Sequence, residues 1–178
     1  MTDNPSLDPL TRRAGRFAAG VLAADAVCHL YWLTGATWPF PDERALSLAV
    51  LGSPVPFTAR VLIPLAILLA AAGTALWWRL LRGPDGAVGR AAHLVTLVVV
   101  AAAAVQLPLR IGWALGLGSR GAGPVFYWLN LMLSLPVCAL LALAAYWVAR
   151  HGMARGRWRR RVALALPVVF ASAIAIAA

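Results

Sequence analysis

The sequence predicts an all-α membrane protein, a bundle of four core transmembrane helices with a fifth helix at the C-terminus and the N-terminus in the cytoplasm. Three observations lead there. The 178 residues are 62% hydrophobic and only 12% charged, where a soluble domain is about half apolar and a quarter charged. The apolar residues gather into five long runs, and the arginines gather between alternate runs. The mean hydropathy of +0.79 agrees. Together these exclude a disordered tail, a coiled coil and an ordinary soluble enzyme, and the length bounds the chain to about one domain.

The runs are Phe17–Leu33, Val61–Trp78, Ala91–Leu109, Val125–Ala149 and Val162–Ala178. A spanning helix needs about 17–25 residues, and each run reaches that with its flanks. The organisation is therefore a cytoplasmic tail over 1–16, a four-helix core over 17–149, a basic cytoplasmic connection over 150–161 and a fifth span over 162–178. The first run is the most polar, because it carries Asp25 and His29. Its basic start and the small residues Thr34-Gly35-Ala36 have the outline of a signal peptide, but a charge inside the apolar centre argues for a retained span. Pro64, Pro108, Pro136 and Pro167 lie within or at the ends of runs, as membrane helices tolerate when neighbours cover the freed carbonyls.

Orientation follows from the arginines. Arg12, Arg13, Arg16, Arg79, Arg82, Arg90, Arg150, Arg155, Arg157, Arg159, Arg160 and Arg161 fall on one side, and only Arg44, Arg60, Arg110 and Arg120 on the other. Basic residues stay cytoplasmic, so the first side is inside. Trp32, Trp38, Trp113 and Trp128 then mark the outer boundary and Trp77, Trp78, Trp147 and Trp158 the inner one, as aromatic belts do. Within the long outer loop Gly35–Arg60, residues Ala45–Leu51 suit a short interfacial helix. No repeat beyond hydropathy appears, which leaves an inverted-repeat transporter without support.

Several chemistries drop out. A net charge of +10 suits a nucleic-acid binder, but these charges sit between apolar runs and serve topology, so no nucleic-acid partner is expected. Cys28 and Cys138 lie in apolar runs outside any C-x-x-C pair and read as small buried hydrophobes. Gly116-Leu117-Gly118-Ser119-Arg120-Gly121 matches G-x-G-x-x-G, yet it lies in an outer loop with no preceding strand and carries no dinucleotide expectation. Three histidines are too few for a metal centre, and His29 and His93 fall at different depths, which argues against a bis-histidine haem. No metal and no cofactor is expected.

The informative feature is polar side chains inside the spans, since an intramembrane ionisable group is by default a functional candidate. Asp25, His29 and Trp32 fall at i, i+4 and i+7 and share a helix face. Gln106, Arg110 and Trp113 repeat that spacing if the third span stays helical past Pro108, while Tyr127, Asn130 and Ser134 share a face of the fourth and Arg60 begins the second. Asp25, His29, Trp32, Arg60, Gln106, Arg110, Tyr127 and Asn130 thus form a candidate polar centre in the outer half. Arg110 or Arg60 can neutralise Asp25 or bind an anionic headgroup, and Asp25 can orient the His29 imidazole for acid–base work. The plainer reading is a buried Asp25–Arg110 pair with interhelical hydrogen bonds that fix packing. On that reading Asp25→Leu strands a cation and costs about 3–5 kcal/mol. Arg157, Arg159, Arg160 and Arg161 around Trp158 suit anionic lipid headgroups, and His93 and His151, each beside arginine, suit the inner interface.

The stretch from Cys28 to Pro39, Cys-His-Leu-Tyr-Trp-Leu-Thr-Gly-Ala-Thr-Trp-Pro, resembles the signature of a family of small bacterial multi-pass membrane proteins of unknown function, His-x-x-Trp-x-x-Gly-x-x-Trp at the end of the first span. Ala36 stands where that pattern has a second glycine. The resemblance extends over residues 17–149, implies a bacterial plasma-membrane location and marks His29, Trp32, Gly35 and Trp38 without assigning a reaction. Small four-helix sterol isomerases of the emopamil-binding type are similar in architecture alone.

The functional expectation is a binding or scaffold bundle that takes a membrane lipid, a small amphiphile, a membrane-protein partner or a second copy of itself. The alternatives are an acid–base enzyme acting on a lipid or isoprenoid through His29 and Asp25, and a small transporter. A cavity of about 300 Å³ or more around His29 would favour binding or catalysis.

Overall fold

The computed structural model describes residues 7–83, 85–117 and 123–151, and among them every regular element is helical. The described residues form five helices: α1 Pro9–Leu33, α2 Glu43–Leu51, α3 Ala59–Arg82, α4 Gly86–Ala114 and α5 Pro124–Arg150. The fifth predicted span, 162–178, lies outside the described residues, as do Arg157, Arg159, Arg160 and Arg161.

α3, α4 and α5 are long and apolar enough to cross a membrane. α1 has 25 residues and packs with them, but it does not reach the same apolar composition. The reason is in its sequence, which carries Arg12, Arg13, Arg16 and Asp25. α1 packs on α3 and α5, and α4 packs on the same two, so the long helices form a ring.

The helices bury small residues and leucines against one another. α1 buries Gly15, Ala18, Ala19, Leu22 and Ala26; α3 buries Leu62, Ala66, Gly73, Leu76 and Leu80; α4 buries Gly89, Ala92, Thr96, Val99 and Ala103. Spacings of three and four residues make each set a seam of the coiled-coil type. Large apolar side chains point the other way: Ile67, Leu68, Val98 and Leu143 are each more than 60% exposed. Lipid tails are as apolar as leucine, so helices in a membrane gain little by burying leucine and gain most from close backbone approach. Gly73 illustrates the approach, because a Cβ there would stand 3.3 Å from the Ala19 carbonyl oxygen.

Local chemistry sets the helix ends. Asp8 caps α1, its Oδ1 accepting from the Thr11 amide at 2.8 Å and its Oδ2 from the Thr11 hydroxyl at 2.6 Å, with Pro9 at the first turn. Asp42 caps α2 through the Ala45 amide, and Gly52 ends it at φ 73°, a left-handed position that glycine adopts without strain. α4 runs through Pro108 without a break, which keeps Gln106, Arg110 and Trp113 on one helix. α5 contains a π-type turn over Asn130–Ser134, where the Leu135 amide reaches back to the Asn130 carbonyl. The widened turn sits just before Pro136, whose ring would crowd a regular helix and whose missing amide leaves a carbonyl free.

The ring brings the start of α1, the end of α3, the start of α4 and the end of α5 together. Arg12, Arg13, Arg16, Arg79, Arg82, Arg90 and Arg150 therefore share one end of the molecule. At this basic end Arg79 is 4% exposed, and its Nη2 donates to the His151 carbonyl at 2.6 Å and the Val148 carbonyl at 3.4 Å, closing the last turn of α5 from a neighbouring helix. His151 in turn lies 3.5 Å from Asp8 at the start of α1. Arg82 stands over the Trp78 ring and Arg150 over Trp147. At the far end α2 packs on the first turns of α5, burying Leu46, Ser47 and Ala49. It is thus part of the packed body, where the sequence indicates an interfacial helix. Ser47 Oγ donates to the Ser53 carbonyl and accepts from the Val55 amide, and a Glu43 carboxylate oxygen accepts from the Phe57 amide, which fixes the path of this loop.

Candidate functional site: a polar centre in the far half of the bundle

The predicted polar residues fall into two groups. The first is on α1. His29 Nδ1 donates to the Asp25 carbonyl at 2.8 Å, since a carbonyl can only accept, and lies 3.4 Å from the Asp25 carboxylate. The imidazole is thus held mainly by its own helix backbone. Its side chain is 15% exposed and that of Asp25 is 50% exposed. The His29 ring meets Trp32 edge-on at 5.3 Å, and Trp32 leans on Phe57 from the loop before α3 at 5.4 Å.

The second group joins α4 and α5. Asn130 is 1% exposed, and its amide Nδ2 donates to the Arg110 carbonyl at 2.8 Å. Arg110 Nη1 reaches the Asn130 Oδ1 at 3.5 Å, a weak bond by its length. The guanidinium stands over the Trp113 ring at 5.1 Å, while its Nε is buried without a partner among the described residues. Trp113, Phe126 and Tyr127 then stack edge-on in sequence. The π-type turn begins at Asn130, so the irregular backbone and the buried amide coincide, as such turns often do at functional sites.

Cys138, two turns beyond Asn130 on α5, is a free, half-buried thiol, where the sequence reads it as a buried hydrophobe. Phe57 carries no sequence signal, because its contact with Trp32 crosses a loop.

Not every expected member joins. Arg60 and Gln106 are exposed on α3 and α4. The expected pair of Asp25 with Arg110 does not form among the described residues: Arg110 meets Asn130 and Trp113, and Asp25 meets His29. The physical reason is placement, since α1 and α4 sit across the ring from each other with α5 between them. A groove of about 440 Å³ lies elsewhere, on α5, lined by Pro124, Val125, Trp128, Leu129, Met132 and Leu133, and its wall includes none of the polar centre. Among the described residues no group of three or more His, Cys, Asp or Glu side chains gathers to hold a metal ion.

No family model matches the chain, and neither a curated protein nor a solved structure does. The class that fold and site define is an all-helical protein with three helices able to cross a membrane and a polar cluster near one end of them.

Proposed function

We propose that the chain is a multi-pass protein of a bacterial plasma membrane, with its N-terminus and basic end in the cytoplasm and α1 as a fourth span. The asymmetry of arginine between the two ends supports that orientation. The resemblance of the Cys28–Pro39 stretch to small bacterial membrane proteins supports the location.

Its role is to bind a lipid or small amphiphile from the outer half. The observation that carries this is the pair of opposite charges, Asp25 and Arg110, that lie toward the end of the bundle opposite the basic one without an ion pair between them. A network that served packing alone would bring such charges together, since an unpaired charge in a membrane is costly.

Two measurements test this. Cysteine-accessibility labelling in intact cells of Ser6→Cys and Ser53→Cys variants should modify the second from outside and spare the first; the reverse pattern overturns the orientation. Native mass spectrometry of gently extracted protein should show a retained lipid or small amphiphile. A bare chain that gains no mass on exposure to membrane lipids rejects the binding role.

A further inference from the structure

His29 is the one histidine of the three in the far half of the bundle, since His93 lies near the start of α4 and His151 follows α5 at the basic end. Its contacts assign its hydrogen. The Asp25 carbonyl, 2.8 Å from Nδ1, can only accept, and the Asp25 carboxylate, 3.4 Å from the same nitrogen, is an acceptor as well. Nδ1 therefore carries a hydrogen. A neutral imidazole has a single N–H, so its other nitrogen, Nε2, is left as a lone-pair acceptor. Nε2 has no hydrogen-bond partner among the described residues and, unlike the ring nitrogens of His93, is not buried.

The surroundings decide which donor suits it. The His29 side chain is 15% exposed, with Trp32 edge-on at 5.3 Å and Phe57 against Trp32 at 5.4 Å. An acceptor covered to this degree is costly to leave unpaired. Asp25 is one turn away and half exposed. Its charge repels a phosphate or carboxylate group that approaches the ring, and an ammonium group is better served by the carboxylate itself than by a neutral nitrogen. What suits Nε2 is an uncharged donor, of which a hydroxyl is the simplest. His29 stands four residues before Leu33, where α1 ends, about 6 Å from it at the rise of a helix. With the basic end inside, that is the outer interface, where the head of an amphiphile meets its chains, and the Trp32–Phe57 pair gives those chains an apolar wall.

We propose that Nε2 of His29 is the hydrogen-bond acceptor for the hydroxyl of an uncharged amphiphile, such as a diacylglycerol or a long-chain alcohol, and that the Asp25 backbone carbonyl sets the tautomer that makes it so. This rests on the reading of the outer half as a binding site and narrows it to one ligand chemistry and one atom.

The test is a native mass-spectrometry titration of the full chain with a diacylglycerol and its O-methyl ether, of matched acyl chains, at about pH 8.5, where an imidazole is neutral. The free hydroxyl should bind about tenfold more tightly, because the ether leaves the acceptor unpaired. His29→Phe, which keeps a ring beside Trp32, should erase that preference and leave binding of the ether unchanged. Asp25→Asn should retain the preference, because the shorter of the two bonds to Nδ1 comes from the backbone. Nitrogen NMR of the histidine-labelled parent carries the test if His29→Phe does not fold. His29 should show its proton on Nδ1, and its Nε2 signal should move on addition of the diacylglycerol and not of the ether. A proton on Nε2, a preference that survives His29→Phe, or one that is lost in Asp25→Asn overturns the site. So does a parent that binds the two lipids alike or binds neither; if it still retains another lipid, the broader binding role stands. A chain that holds no lipid fails both.

Discussion

The two ends of the bundle solve the problem of charge in opposite ways. At the basic end Arg79 is almost fully buried, and only its Nη2 has acceptors among the described residues, Nε and Nη1 having none. It closes the last carbonyls of α5, and His151 ties that turn to the cap of α1. Around it the seams are alanine, glycine and leucine packed at close range. In the far half Asp25, Arg110 and Cys138 are only partly covered, and the two charges remain apart. At one end a guanidinium joins two helices through backbone carbonyls, and at the other through a side-chain amide. The difference separates a structural arginine from a candidate binding arginine in the same chain. The distinction is one of burial and partner: Arg79 is covered and donates to backbone carbonyls at a helix end, while Arg110 is half-covered and meets a side-chain amide and a ring.

That contrast yields graded predictions. The largest effect should come from the seam: Gly73→Leu pushes a side chain into the Ala19 carbonyl and should cost about 3 kcal/mol, as overpacking does. A thermal melt in detergent reads it, and an unchanged melting temperature would mean that α1 and α3 are not packed as described. Arg79→Met removes the donor to Val148 and His151 and should cost about 2 kcal/mol, the range for a hydrogen bond to a charged group. The same melt with Arg79→Lys should recover part of the loss.

Changes in the far half should be milder. Asn130→Leu breaks the link between α4 and α5 and should cost about 1 kcal/mol, since interhelical hydrogen bonds in membranes are modest. Asp25→Leu should cost under about 1 kcal/mol, because a half-exposed carboxylate with one long contact stabilises little. The sequence alone points to a buried pair and a larger loss. If this variant melts several degrees lower, Asp25 is a structural partner and the contrast between the two ends fails.

The smallest effect belongs to Asp8 at the basic end. The Thr11 hydroxyl and then the Thr11 amide, both donating to its carboxylate, hold Asp8 below its ordinary value of 3.8. A depressed carboxylate stabilises the fold above its unfolded pKa, and that contribution is lost as pH falls through the lower folded value. The stability difference between the parent and Asp8→Asn should therefore be constant above about pH 5 and shrink below pH 3.8. Acid titration of the two proteins would check it.

Much of the architecture is readable without coordinates. Helices cover the runs starting at Phe17, Val61, Ala91 and Val125, because long apolar stretches with arginines at their margins leave the backbone no other way to satisfy its hydrogen bonds in lipid. The i, i+4, i+7 spacing places His29 beside Trp32, and it places Arg110 beside Trp113, since neighbours on one helix are set by its pitch. The pairings between helices lie beyond that reasoning. Asn130 holds Arg110 through a π-type turn that Pro136 favours, and Phe57 folds back on Trp32 from a loop. Composition and periodicity determine which residues share a helix face. Which face meets which is decided by packing around the ring, where a glycine or alanine lets backbones approach and a larger residue keeps them apart, and only the tertiary structure carries that choice.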